Sequence, residues 1–249
     1  MTNTEHLGHF QTIEFRRYTI KEGKRKQFAC YFENFFPEAF QQIGAIACGQ
    51  FFERENPAGF TWIRGFKNID ARATINAAFY YGPLWKEHSA TMNELMIDSD
   101  NVLLLKPLSS ERAVTILPAV DPVNELKGAE GVVVAQIFPV KAGDVEAFAL
   151  EVEKTFARYR IAGVREAGVL ISLDVPNNFP QLPFRTDGPY LVWLGIIKDD
   201  QIMEKQFHPL VESCLPSLSA TGLLRGAPEL VVLDPTFRSR LRWLPEWQQ

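Results

Sequence analysis

The feature that most constrains this chain is that it is written twice. "YTIKEGKRKQFACYFENFF" from Tyr18 aligns with "FPVKAGDVEAFALEVEKTF" from Phe138 at an offset of 120 (138 minus 18). Lys21 meets Lys141, Gly23 meets Gly143, Phe28-Ala29 meets Phe148-Ala149, and Glu33 meets Glu153. Further on, "WIRGFKN" aligns with "VWLGIIKD" through Gly65 and Gly195, now at an offset of 130 (195 minus 65). Both halves close on similar runs, "NVLLLKPL" and "ELVVLDPT". The larger offset predicts a longer loop in the second half, and "VPNNFPQLPFRTDGP" with its prolines supplies one. Self-similarity over this length points to duplicated units, not to a short-period solenoid.

Each half reads in one order. Thr12–Ile20 and Val132–Val140 are predicted strands, each followed by a Lys-x-Gly turn into a helix. In the first half Phe28, Tyr31, Phe32, Phe35, Phe36, Ala39, Phe40 and Ile43 recur at steps of three and four, a single helical stripe. Pro37 lies inside that stripe and should break or kink it. A second strand is expected near "GQFFERE", an Asn56–Gly59 turn, then a third strand, "FTWIRGF". Asp70 is a candidate cap for a helix across "ARATINAAF". A helix over Leu84–Met96, a turn at "DSDN" and a strand over Val102–Leu108 complete the unit. The pattern is β-α-β-β-α-β, a ferredoxin-like unit with helices on one face of an antiparallel sheet. Its bare face needs a cover, and the second copy is at hand. The expected class is therefore α+β: two tandem ferredoxin-like repeats whose sheets face each other as a barrel. The divisions are a first domain at 10–108, a linker at 109–130 in which "RAVTIL" could add an edge strand, a diverged second repeat at 131–236, and a tail at 237–249.

The tail, "FRSRLRWLPEWQQ", is basic and carries Trp243 and Trp247. It either packs on its own barrel or makes a subunit contact, since tryptophan and arginine are enriched at interfaces. A net charge of −4 offers no basic field for phosphates, so no nucleic-acid partner is expected. Cys30, Cys48 and Cys214 are odd in number and widely spaced, which suits packed, reduced thiols and no metal. The opening residues show no basic region followed by an apolar run, and no stretch is long enough for a membrane span. The expectation is a cytoplasmic protein with no membrane partner.

Candidate chemistry gathers in the first half. Glu14, Arg16 and Tyr18 share one face of the first strand by the two-residue period; Phe60, Trp62, Arg64 and Phe66 share a face of the third. This mixture suits a small-ligand pocket and equally suits an ion pair that pins strand register. Whether the face looks toward the helices or toward the opposing sheet stays open. The repeat offers an internal control: Glu14 meets Val134, Arg16 meets Gln136, Tyr18 meets Phe138 and Arg64 meets Leu194. The charges vanish while the fold persists, which points to the first half as the bearer of a site. On the next helix Trp85, His88, Met92 and Met96 follow helical steps, so His88 is either a satisfied core histidine or a base near neutrality. Tyr80 and Tyr81 precede it and could hold an aromatic substrate. His208 is its second-half counterpart and weaker, with Pro209 beside it. His6 and His9 sit near the start. Asp98 and Asp100 lack the glycine and glutamate of a calcium loop.

"YTIKEG", "FTWIRGF" with "ARA", "YYGPLWKEH" and "DSDNVLLLKP" resemble the NIPSNAP-like proteins, a branch of the dimeric α+β barrel superfamily. The resemblance spans about Thr12 to Leu108 and weakens in the second half. It implies the barrel fold, assembly as a homo-oligomer (a dimer), and no secure reaction. The wider superfamily includes cofactor-free oxygenases, isomerases and dehydratases, and two-repeat haem proteins. Three readings follow. The first is an enzyme without a bound cofactor that acts on a small hydrophobic or aromatic oxygenated molecule, by oxygenation, rearrangement or proton abstraction. His88 would be its base, Arg64 and Arg16 would hold an oxyanion beside Glu14, and Tyr18, Trp62, Tyr80, Tyr81 and Trp85 would shape the pocket. The second is a non-catalytic ligand-binding or assembly protein. The third is a haem protein.

Overall fold

In the computed structural model, which describes residues 10–248, eight strands close on themselves in the order β1-β3-β2-β8-β5-β7-β6-β4. The first repeat supplies β1 (Thr12–Ile20), β2 (Ile46–Glu53), β3 (Gly59–Phe66) and β4 (Met96–Pro107). The second supplies β5 (Val132–Pro139), β6 (Arg165–Ser172), β7 (Tyr190–Ile197) and β8 (Glu229–Pro235). Every pairing is antiparallel. Within each repeat the order is that of a ferredoxin-like sheet, and two short seams, β2–β8 and β4–β6, join the sheets into one α+β barrel. Closure leaves no strand with a wholly open edge, although each seam pairs only three residues.

The two-residue period then sorts the side chains. Ile13 and Phe15 of β1, Ile63 of β3, and Val192, Leu194 and Ile196 of β7 point inward and form one apolar core. Tyr18, Phe60, Trp62 and Phe66 point outward against the helices of the first repeat. Those helices are α1 (Arg25–Phe35), α2 (Pro37–Gln42), α3 (Ile69–Tyr80) and α4 (Pro83–Leu95). The second repeat is covered by α5 (Val145–Ile161), by a short α6 (Asp200–Ile202) running into a π turn at Met203–Phe207, and by α7 (His208–Ala220). The aromatic stripe of the first half does break at Pro37, which becomes the first residue of α2. Gly23 and Gly143, matched in the repeat, both take positive φ in the turn before α1 and α5.

Several local expectations are corrected. The cap of α3 is Asn68, whose side chain accepts from the Ala71 amide at 2.8 Å; Asp70 sits two residues further along and lies in the first turn. The "DSDN" run is no turn. It belongs to β4, which begins at Met96 and pairs with β1 through Thr19↔Asp98 and Arg17↔Asn101, with register shifts between them. "RAVTIL" adds no strand, although it runs beside the part of β6 that β4 does not pair. The run instead drops Val114 and Leu117 into the barrel core, anchored by the Thr115 amide on the Ala167 carbonyl. The tail does the same from its own side: Leu241, Trp243 and Leu244 join that core, and Arg242 is buried against Glu125. The tail's aromatic and basic residues thus pack on their own barrel.

The thiols divide by environment. Cys48 and Cys214 are buried and Cys30 is exposed on α1, against the expectation that all three are packed. Burial pushes the Cys48 thiol up to about 12. A disulfide reagent such as dithionitrobenzoate should titrate one thiol in the native protein and three in denaturant; two or three fast native thiols would contradict this packing.

Candidate functional site

The outward face of β1 and β3 buries an unusual group of charges. Glu14, Arg16, Arg64 and Arg72 are each no more than 1% exposed. Glu14 and Arg64 lie opposite each other across the β1–β3 ladder, and Arg16 lies opposite Trp62. The Glu14 carboxylate accepts from Arg16 Nη1 at 3.0 Å, from Arg64 Nε and Nη2 at 3.0 and 2.5 Å, and from Arg72 Nε at 2.7 Å. Burial alone would raise the Glu14 pKa, but the three guanidinium groups hold it well below the usual carboxylate range. Burial also works against the Arg16 charge; the Tyr18 hydroxyl and the Glu14 carboxylate offset it and leave its pKa above the ordinary value. Arg16 Nε donates to the Tyr18 hydroxyl at 2.9 Å. Burial pushes the Tyr18 phenol up, so it stays protonated at neutral pH.

Above this layer lies a cavity of about 280 Å³. Arg16 and Tyr18 stand in its wall with Trp62, and the other walls are largely aromatic, from Phe32 and Phe36 of the α1–α2 stripe to Tyr80 and Trp85. Met92 and Met96 add soft apolar surface, and Asn93 and Ser99 a few polar atoms. The side of the β1 face is now settled: it looks toward the helices. A wider cleft of about 540 Å³ lies between the long second-repeat loop and the start of α5, bordered by Lys106, Glu146 and Arg185. None of the buried charges reaches it.

The second repeat completes this cavity. Between β6 and β7 run 17 residues (189 minus 172), against five between β2 and β3 (58 minus 53). This long loop crosses to the first repeat, where Phe179, Gln181 and Leu182 line the cavity. It is tied down by Arg72, whose Nη1 donates to the Asn177 and Asn178 side chains at 3.1 and 2.9 Å. Asn178 in turn donates to the Ile69 carbonyl at 2.6 Å. One residue, Arg72, therefore grips both the carboxylate beneath the cavity and the loop that covers it.

Of the residues expected in the site, Glu14, Arg16 and Arg64 come together, and Tyr18, Trp62, Tyr80 and Trp85 line the cavity with Arg16. Two are displaced. His88 lies on the buried stripe of α4 but turns toward α1: its Nδ1 is 2.6 Å from the Tyr31 hydroxyl, and its ring stacks on Phe35 at 4.0 Å. It does not line the cavity. Tyr81 is 54% exposed and meets Phe179 from outside. His208 is exposed on α7, within 4.0 Å of Glu212. His6 and His9 lie outside the described residues. A haem would find no imidazole in this cavity among the described residues, and no group of three metal-binding side chains occurs among them. Arg72 was missed, although it sits on the Arg72-Ile75-Asn76-Phe79 stripe; a charge on an apolar helical stripe was the available signal.

The strand register also corrects the internal control. Arg16↔Trp62 in the first repeat corresponds to Gln136↔Trp193 in the second, so the third strands match at an offset of 131 (193 minus 62). Arg64 therefore meets Gly195, and Leu194 points into the barrel core where no counterpart of Arg64 can be. A side chain at Gly195 would collide with the Trp193 ring at 2.4 Å. The helix caps Asn68 and Asp199 share that offset (199 minus 68), which pairs Arg72 with Met203 and Asn76 with Phe207. Glu14, Arg64, Arg72 and Asn76 thus give way to Val134, Gly195, Met203 and Phe207, Arg16 gives way to an uncharged Gln136, and Trp193 stacks between Phe156 and Phe207. The second repeat has the same place in the fold, filled.

Residues 13–111 match the model of the NIPSNAP family. The first repeat is NIPSNAP-like. No curated protein matches the chain. Among solved structures, the whole barrel is similar to two proteins each described as a "putative monooxygenase". One, from Lactobacillus acidophilus, is 15% identical, with 91% of this chain and 94% of that one covered and a TM-score of 0.55. The other, from Fusobacterium nucleatum, is 11% identical, with 95% and 97% covered and a TM-score of 0.58. It is also similar to an anthrone oxidase-like protein, 11% identical, with 94% and 96% covered and a TM-score of 0.58. These likenesses establish the fold shared by the NIPSNAP-like repeat and its diverged copy. Among the described residues no helix is long and apolar enough to cross a membrane.

The charge layer makes a prediction about stability. Folded Glu14 keeps its charge to far lower pH than an unfolded glutamate, whose pKa is near 4.5. Below about that pH the unfolded chain takes up a proton that the folded chain refuses, so stability falls as pH falls. Glu14→Gln should flatten this acid limb. At pH 7 it should cost about 3–5 kcal/mol, because three guanidinium groups lose their counter-charge. Arg16→Met should cost less, since two arginines still neutralise the carboxylate. Urea titrations of the three proteins at pH 7 and pH 4 check the order.

Proposed function

We propose that the protein is an enzyme that oxygenates or oxidises a small aromatic, oxygen-bearing molecule in the first-repeat cavity, using its own side chains and dioxygen. The observation that carries this reading is a single buried cation, Arg16, in the wall of an otherwise aromatic cavity. Aromatic rings hold a planar substrate by stacking, and one guanidinium beside a protonated Tyr18 makes a pair of donors for a substrate oxygen. Where a bound ring displaces water from around them, such donors act with less screening than in bulk solvent. The fold supports the reading in a coarse way, since it is shared with proteins named as monooxygenase candidates and an anthrone oxidase-like protein.

The chemistry asked of these residues is modest. A substrate with an acidic O–H or an activated C–H loses a proton and becomes electron-rich, with charge on the oxygen that faces Arg16 and Tyr18. Dioxygen adds at carbon, and loss of water leaves a carbonyl, so CH₂ and O₂ give C=O and H₂O without an external reductant. His88 is not the base in this scheme, since its ring faces Tyr31 and Phe35. No carboxylate or imidazole lines the cavity among the described residues, and the proton passes to water. Phe179 and Leu182 of the covering loop exclude bulk solvent from the electron-rich intermediate. The same lack of a base favours a second reading, a binder that returns its ligand unchanged.

Oxygen uptake with a panel of quinols and enolisable aryl ketones tests the proposal, with product analysis by mass. Uptake should be seen with the wild type and fall by about a hundredfold or more in Arg16→Met, as for the loss of an oxyanion donor. His88→Ala should retain most of the activity. Tight binding of the panel with no turnover would replace this reading with the second.

A further inference from the structure

The charge layer beneath the cavity is unbalanced, and its donors are not all used. Three guanidinium groups meet one carboxylate, and among the described residues no other carboxylate bonds to Arg16, Arg64 or Arg72. The buried layer therefore carries two positive charges more than it has negative ones. Arg64 Nη1, Arg72 Nη2 and the Trp62 indole N–H are fully buried without a hydrogen-bond partner. Buried donors of this kind are uncommon and call for a cause.

The second repeat shows that the fold does not impose this state. Trp193, the counterpart of Trp62, donates its indole N–H to Glu166 at 3.0 Å. Glu166 lies opposite Gly195 on β6; the matching residue opposite Arg64 on β2 is Ala47. In the first repeat, then, the acceptor that would satisfy the tryptophan is an alanine, and the ring that carries the free N–H stands in the cavity wall. Trp62 also sits between two cations, with Arg16 and Arg64 at 5.7 and 5.0 Å from its ring. Where the charges are gone, the acceptor is supplied; where they are present, it is withheld.

We propose that the cavity selects its ligand as an anion, a phenolate, enolate or carboxylate on a small aromatic frame, and that the surplus positive charge of the buried layer, presented at Arg16, sets this preference. This inference rests on the reading of the cavity as a small-aromatic site and adds the charge state of the occupant. Arg16 is the contact for the negative oxygen. Arg64 and Arg72 do not line the cavity and act through Glu14: they share its one negative charge with Arg16, so the three guanidinium groups together are only partly neutralised. A neutral isostere leaves the surplus charge uncompensated and binds poorly, and a cation is repelled.

Calorimetry at pH 7 with three matched probes tests this: 2-naphthoate, 2-naphthamide and 2-naphthylmethylamine. The carboxylate should bind the wild type at least tenfold more tightly than the amide, and the amine should not bind. Arg64→Met removes one buried positive charge without altering the cavity wall; it should narrow the carboxylate–amide gap several-fold. Arg16→Met should abolish the gap. Equal or tighter binding of the amide by the wild type overturns the anion inference and leaves the aromatic site standing. An unchanged gap in Arg64→Met overturns the part assigned to the buried surplus charge. Binding of none of the three overturns the aromatic-site reading itself, and this inference with it.

Discussion

Everything particular to this molecule hangs on one carboxylate. Glu14 holds three guanidinium groups out of water on a strand that belongs to the barrel wall. Desolvating four charges is expensive, and an apolar layer of the same volume is often as stable or more so. The second repeat is the demonstration within the same chain: the uncharged Val134, Gln136, Gly195 and Met203 occupy the equivalent places, and the strand order is the same. The charges are therefore not needed to build the fold. They are tolerated because Glu14 bonds all three arginines at once, and because Phe40, Trp62 and Phe66 lie within about 5 Å of the Arg64 guanidinium, where ring faces favour a cation.

The barrel interior cannot serve as the site. It is filled from the walls by alternating Ile, Val, Leu and Phe, and both the connector and the tail add side chains to it. The aromatic cavity lies instead between sheet and helices. Two features open it there on one side alone. The helical stripe of the first repeat is broken at Pro37, so its rings come from two short helices, whereas α5 runs unbroken for 17 residues. And the second repeat fills the matching volume with Trp193, which lies flat only because residue 195 is a glycine. The arginine-to-glycine difference at this register position is thus one of several that separate a lined cavity from a packed core.

Much of the fold was legible because duplication doubles every signal. A strand, a Lys-x-Gly turn and an aromatic helix stripe seen twice leave few alternatives, and one closed barrel satisfies both bare sheet faces. The errors came where a one-residue decision mattered. Aligning on Gly65 and Gly195 slipped the third strand by one and set Arg64 against Leu194; in a sheet that slip exchanges the two faces. Aligning on the two tryptophans would have avoided it. The "DSDN" run has the composition of a turn, yet pairing with β1 outweighs the weak strand preference of Asp and Asn. His88 was rightly placed on a buried stripe, but a stripe faces two neighbours, and sequence spacing does not distinguish α1 from the sheet. Arg72 and the Asn177–Asn178 pair lie 105 and 106 residues apart, beyond what local pattern can connect.

That last contact explains what a tandem arrangement offers. A loop grown on one of two identical chains would appear on both and cover both sites. Fusion into one chain lets the repeats diverge: one loses its charges and lengthens a loop, the other keeps its charges and accepts the loop as a wall. The cavity is then assembled from both repeats although its charges come from one. Arg72 is the point where the division of labour becomes a physical link, since the same guanidinium bonds Glu14 at its Nε and the loop at its Nη1. A change that disturbs the charge layer must therefore also loosen the cover, and the two parts of the site cannot be altered independently.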